Sequence, residues 1–145
     1  MHARICCLIA SLGLLSSIAS AADLEVSKIR CSEAGANFAA KFKAQHDTDV
    51  SVWGTPEFHY SVPLSTCLVY TEVIDGSLHN EVNAVWYYRR ITDVYSNKVL
   101  AYSRYLVKKD DPTKNETLVN LMNLGGATNL MPMEFNATKA DLFKQ

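Results

Sequence analysis

Neither sign of charge dominates this chain. Fourteen Lys and Arg stand against 15 Asp and Glu, a formal net charge of −1. Without a basic excess or a clustered basic patch there is no electrostatic footprint for nucleic acid. Without a long acidic run there is no acidic tail. Six glycines and four prolines leave no low-complexity tract, and no segment repeats. Catalytic signatures are missing as well: there is no H-E-x-x-H, no G-x-S-x-G, no phosphate-cradling glycine loop and no C-x-x-C. His46, His59 and His79 fall at a helix end, in a strand and in a loop, a scatter that points to no metal site. Nothing in the sequence calls for a cofactor. With 48% apolar residues, the chain is expected to fold as an ordinary globule.

A long apolar run occurs once, at the start, in "MHARICCLIASLGLLSSIASAADLEV". Arg4, with His2, forms a short basic region and Ile5 to Ile18 is almost uninterruptedly apolar. Ala19-Ser20-Ala21 then supplies the small residues of a cleavage site. This is the order of a secretory signal, and the run is too short to span a membrane. Cys6 and Cys7 precede the apolar stretch, whereas a lipid-modified cysteine would follow it. The expectation is a signal peptide over residues 1–21 and one domain over 22–145, periplasmic or secreted, with no transmembrane segment after cleavage.

Removal of the leader takes Cys6 and Cys7 with it and leaves Cys31 and Cys67. Two cysteines in an exported chain read as one disulfide. The competing reading, a Cys67 thiol nucleophile with His59 or His79 as base, conflicts with an oxidising compartment and an even cysteine count.

Residues 24–46 are expected to form a helix, with Cys31, Ala34, Gly35, Phe38 and Phe42 on one stripe. Asp47 to Thr55 is polar and turn-like. The period then changes to two: "PEFHYSV" and "TCLVYTEVI" are strands joined through Pro63 and Ser65. On the second, Cys67, Val69, Thr71 and Val73 share a face, and a Cys31–Cys67 bond makes that face the helix-covered one. Asp75 to Glu81 is a loop, and Lys108 to Asn115 a turn-rich break. Residues 116–124 are short and apolar and fit either helix or strand. "PMEFNATKADLFKQ" reads as a closing helix with Pro132 in its first turn and Phe135, Leu142 and Phe143 as anchors.

The segment "VWYYRRITDVYSNKVLAYSRYLV", Val85 to Val107, carries five tyrosines, a tryptophan and three arginines. A two-residue loop would place Arg89 opposite Arg104. A four-residue loop, Val94 to Asn97, instead pairs Asp93 with Lys98, Ile91 with Leu100, Arg89 with Tyr102 and Tyr87 with Arg104. The other face then pairs Thr92 with Val99, Arg90 with Ala101, Tyr88 with Ser103 and Trp86 with Tyr105. Ala101 and Ser103 leave room for the N-terminal helix over that second face. Tyr87, Arg89, Tyr102 and Arg104 become a crossed lattice of rings and guanidinium groups. The lattice is either a self-covering sheet surface or a recognition face, since Tyr and Arg are enriched at interface hot spots.

"FHYSVPLSTCLVY" (Phe58 to Tyr70) with the following "YYRRITDVYSNKVLAYSRY" resembles a group of small exported bacterial proteins of uncharacterised function. That group has a helix cysteine, an aromatic strand "HYxxxLxxC", carried here by His59, Tyr60, Leu64 and Cys67, and an "IxDxxxxxxLA" hairpin. The likeness covers roughly residues 29–107. It implies an exported, disulfide-bonded domain and no activity.

These readings converge on an α+β domain whose N-terminal helix is disulfide-linked to an antiparallel sheet of about four strands, with a short C-terminal helix. The functional expectation is a non-enzymatic binding or inhibitor module for a protein or envelope component, with Tyr87, Arg89, Tyr102 and Arg104 as the candidate face. The alternative is a small hydrolase-like enzyme using His59, His79 and nearby carboxylates such as Glu57, Glu72 and Asp75. Asn115-Glu116-Thr117 and Asn136-Ala137-Thr138 match the glycosylation pattern, a pattern without meaning in a bacterial exported protein.

Overall fold

A computed structural model describes residues 21–49, 51–76, 84–108, 115–116, 127 and 129–144. Residues 1–20 of the expected leader, His79 and residues 117–124 lie outside the described residues, and Ala21 begins the first helix. Helix α1 (Ala21–His46) is followed by strands β1 (Ser51–Trp53), β2 (Glu57–Ser61), β3 (Thr66–Asp75), β4 (Ala84–Asp93), β5 (Lys98–Lys108) and β6 (Asn115–Glu116). Helix α2 (Pro132–Phe143) closes the fold. All strand pairings are antiparallel.

The sheet runs β1-β3-β4-β5-β6, with β2 also on β3. β2 takes Thr66 to Tyr70 and β1 takes Val73 to Asp75, so the two are halves of one interrupted edge strand. The interruption is at Gly54, whose N–H still reaches the Glu72 carbonyl at 3.0 Å. β1 therefore corrects the expectation of a turn over Asp47 to Thr55. Ser51, Val52 and Trp53 extend because Ile74 and Val73 offer them a paired edge, a tertiary reward that local polarity does not reveal.

Alanine-rich α1 has Asp23 in its first turn and Lys43 and His46 in its last, charges that complement the helix dipole. Cys31 and Gly35 are its buried residues. Cys31 bonds to Cys67, which puts the Cys67 face of β3 under α1 as expected. One turn on, the helix presses against Phe58 so closely that a Cβ at Gly35 would overlap the ring; only glycine allows this approach.

The opposite face is not solvated. α2 lies across it, and Phe135 completes a core with Leu68, Tyr70, Ile91 and Ala101, flanked by Leu100, Leu130, Leu142 and Phe143. The three anchors read from the sequence are all present. Pro132 stands at the helix start, and Glu134 reaches back to accept the Met131 N–H at 3.0 Å. Just before α2, the chain lies along β5: the Leu130 N–H meets the Tyr102 carbonyl and the Ser103 hydroxyl donates to the Leu130 carbonyl, both at 2.8 Å. The sheet is thus sandwiched between two helices.

Candidate functional site

The β4–β5 hairpin turns through Val94 to Asn97, with Asn97 left-handed at φ 56°. Asp93 pairs with Lys98 and Thr92 with Val99, as the four-residue loop requires. Beyond them the expected register fails. Ile91 pairs with Ala101, so Leu100 is the extra residue of a bulge, and every later pair moves by one: Arg90 meets Tyr102, Arg89 Ser103, Tyr88 Arg104, Tyr87 Tyr105 and Trp86 Leu106. The physical reason is the α2-side core. Leu100 packs against it and Ala101 belongs to it, and a bulge lets two consecutive residues serve the same core.

This shift corrects the candidate face. Opposed residues share a face and neighbours alternate, so Tyr87 and Arg89 lie on the α2 side, whereas Tyr102 and Arg104 lie on the α1 side. Trp86 and Tyr105, expected together under the N-terminal helix, are likewise separated. Ala101 and Ser103 do make room for a neighbour, but it is the α2 segment.

On the α2 side the charges are matched. Arg89 Nε donates to Glu72 Oε1 at 2.8 Å, and Tyr70 donates to the other carboxylate oxygen at 3.1 Å. Arg89 Nη1 reaches Asn136 Oδ1 at 3.4 Å, and its guanidinium lies 5.2 Å from the Tyr105 ring centre. Tyr87 stacks on Tyr105 with centroids 5.0 Å apart. Lys139 pairs with Glu57 at 2.6 Å while capping the Tyr70 ring at 3.7 Å. Burial works against the Arg89 charge, yet the Glu72 hydrogen bond and neighbouring negative groups outweigh it and raise its pKa. Burial, reinforced by Glu72, pushes the Tyr70 phenol far above its usual value.

The described residues of the enzymatic alternative on the α2 side, Glu57, His59 and Glu72, are each engaged by other side chains. His59 pairs with Leu68 in the β2–β3 ladder and stacks on Phe143 at 5.4 Å. Its Nε2 is buried without a hydrogen-bond partner among the described residues. Burial, then the nearby Lys28 charge, lower its pKa. Glu57 and Glu72 are engaged by Lys139 and Arg89, and Asp75, opposite Trp86, lies on the α1 side. His79 is outside the described residues. Among those residues, no three His, Cys, Asp or Glu side chains converge as a metal site.

The α1 side holds the lattice that the sequence pattern foreshadowed, built from β4 residues one position later. Tyr88 and Arg90 face Arg104 and Tyr102 in crossed pairs. The Arg90 guanidinium lies 3.9 Å from the centre of the Phe42 ring and 5.6 Å from that of Phe38. Arg90 Nε donates to Thr92 Oγ1 at 3.0 Å. Arg104 covers Trp86 at 4.3 Å and Tyr88 at 5.1 Å, and its Nε is buried without a partner among the described residues. Neither arginine pairs with a carboxylate among the described residues. Burial lowers the pKa of Arg90, with Tyr102 opposing, and raises those of Tyr88 and Tyr102.

Beside the lattice, a cleft of about 280 Å³ opens where α1 ends, lined by Phe42, His46, Ser51, Val73, Asp75, Tyr88, Arg90 and Tyr102. Across Phe42, Arg90 also lines a groove of about 340 Å³ with Phe38, Lys41, Gln45, His46 and Asn97. Sequence reasoning missed Arg90, Tyr88 and His46 as site residues. Phe42 stood on the helical stripe and Arg90 on the helix-covered face, but Tyr102 and Arg104 join them only through the bulged register.

No protein-family model matches the chain, and no curated protein and no solved structure matches it.

Proposed function

We propose that this chain is an exported, disulfide-bonded binding module, not an enzyme, and that Tyr88, Arg90, Tyr102 and Arg104 form its recognition face. Export is supported by the leader pattern and by the Cys31–Cys67 bond, which suits an oxidising compartment. Among the described residues no helix is long and apolar enough to cross a membrane. The partner is a protein or an envelope component, and the resemblance to small exported bacterial proteins belongs to the same proposal.

One observation carries the reading. Arg89 is neutralised by Glu72, but Arg90 and Arg104, partly withdrawn from water on the other face, have no carboxylate among the described residues. Withdrawing a charge from water without pairing it costs stability. Such a cost is expected where binding, not folding, uses the group. Arg and Tyr are also the side chains that concentrate binding energy.

The test is capture from envelope extract by oxidised protein beginning at Ala22, comparing wild type with Arg90→Ala/Arg104→Ala. Loss of a wild-type partner by a variant that stays folded and oxidised supports the reading; undiminished capture overturns it.

A further inference from the structure

We infer that the cleft where α1 ends over β3, β4 and β5 binds a small organic anion with a flat apolar body, whose carboxylate is held by Arg90. The inference rests on the binding-module reading and names the ligand chemistry of its face.

Arg90 supplies the anion contact. Its guanidinium presents five N–H donors in a rigid fork, a match for both oxygens of a carboxylate. Thr92 engages Nε, and Phe42 covers one flat side of the group at 3.9 Å. No acceptor among the described residues engages the terminal nitrogens. The Phe42 contact and the β4 ladder fix the fork in place, so little side-chain freedom is lost when an anion docks. Removal from water strengthens the attraction relative to an exposed arginine.

A second observation points the same way. Thr71 pairs with Arg90 across β3 and β4, is 4% exposed, and has a buried hydroxyl without a hydrogen-bond partner among the described residues. It lines a space of about 20 Å³ bounded also by Phe42, Val73, Tyr88, Arg89, Arg90 and Tyr102. A buried hydroxyl without a partner is costly in a purely structural core. Here it adjoins both the fork and the aromatic walls.

The walls select the body of the ligand. Phe42, Tyr88, Tyr102 and Val73 are flat or apolar, and few polar groups converge on them, the usual make-up of a small-molecule site. The charges around the cleft fix polarity. Lys41 lies with Arg90 along the adjoining groove, and Asp75 is among the residues that line the cleft. An anion is attracted to the Arg90 and Lys41 charges.

The probe is naphthalene-2-carboxylate, titrated by calorimetry into oxidised protein beginning at Ala22, with uncharged naphthalene-2-methanol as control. The expected result is saturable binding of the acid, at least tenfold tighter than the alcohol. Arg90→Met should weaken the acid at least tenfold and shift the alcohol less than twofold. Arg90→Lys, which keeps the charge and loses the fork, should fall between and serves if the Met variant does not fold. Equal affinity for acid and alcohol, unchanged acid binding by the Arg90 variants, or no saturable binding by wild type overturns the inference. If envelope capture still depends on Arg90 and Arg104 while the acid does not bind, the ligand class alone is wrong. If capture is indifferent to them, the recognition face is wrong as well.

Discussion

Arg90 lies directly opposite Tyr102 across β4 and β5, one position out of step with the pairing an unbroken hairpin would give. The bulge at Leu100 creates this relationship. It decides which β5 side chains join Arg90 on the α1 side: Tyr102 and Arg104, where an unbroken hairpin would put Ala101 and Ser103.

Coupling energies should follow the bulged register. A double-mutant cycle with Tyr88→Leu and Arg104→Met should return about 0.5–1 kcal/mol for a ring–guanidinium contact, read from urea unfolding. Tyr87→Leu and Arg104→Met, on opposite faces, should be additive. The reverse pattern means that Leu100 is paired in solution.

The limits of the sequence lie at that bulge. The loop length followed from comparing charge pairs along a continuous ladder, and it is right. A bulge adds a register that the ladder comparison does not contain, and its driving force is distant. Leu100 and Ala101 both serve a core completed by Phe135, 34 positions from Ala101. Cys31, by contrast, was legible because one bond ties a helix stripe to a strand face. α2 was legible from Pro132 and its apolar anchors, but its destination was not. Nothing in a period-two strand says whether its second face meets water or another helix.

The disulfide spans a sequence separation of 36, for which the chain-entropy model gives about 4 kcal/mol. Cys31→Ala/Cys67→Ala should therefore lower the Tm on the order of 15 °C, measured by circular dichroism. Alkylation of unreduced wild-type protein should leave both cysteines unmodified. Labelling of either without reduction contradicts the bond.

Gly35→Ala tests the approach of α1 to the sheet. Alanine favours a helix by about 1 kcal/mol over glycine, so an open site would be stabilised. Here the methyl overlaps the Phe58 ring, and overpacking typically costs about 1–3 kcal/mol. Net destabilisation of about 1–2 kcal/mol is expected in chemical melts, with recovery when Phe58→Leu is added. A stabilised single variant means that the helix stands further off.

His59 should give stability a pH dependence. Its folded pKa is lowered by burial and by Lys28, against about 6.5 in the unfolded chain. Between those two values the unfolded chain binds a proton that the folded one refuses. Stability therefore rises with pH through this window and is lost as pH falls from about 6.5 toward the folded value. His59→Phe should flatten that part of the profile while keeping a ring against Phe143. An unchanged slope assigns the dependence to another group.

Arg89 and Arg90 are adjacent in sequence and should behave oppositely when each is changed to Met. Arg89 bonds to Glu72, is only 20% exposed at its side chain, and belongs to the ties that join the sheet to α2. Its loss leaves a part-buried carboxylate with Tyr70 alone, so stability should fall by about 1.5–3 kcal/mol, while capture by folded protein persists. Arg90 has no carboxylate among the described residues and rests on Phe42. Replacing a desolvated charge that no described carboxylate pairs with by an apolar chain of similar reach removes its desolvation cost, which offsets the lost Phe42 and Thr92 contacts. Its Tm should hold or rise while capture falls. Paired melts and capture assays on the two variants separate the roles, because a purely structural lattice predicts that Arg90→Met lowers the Tm and leaves capture intact.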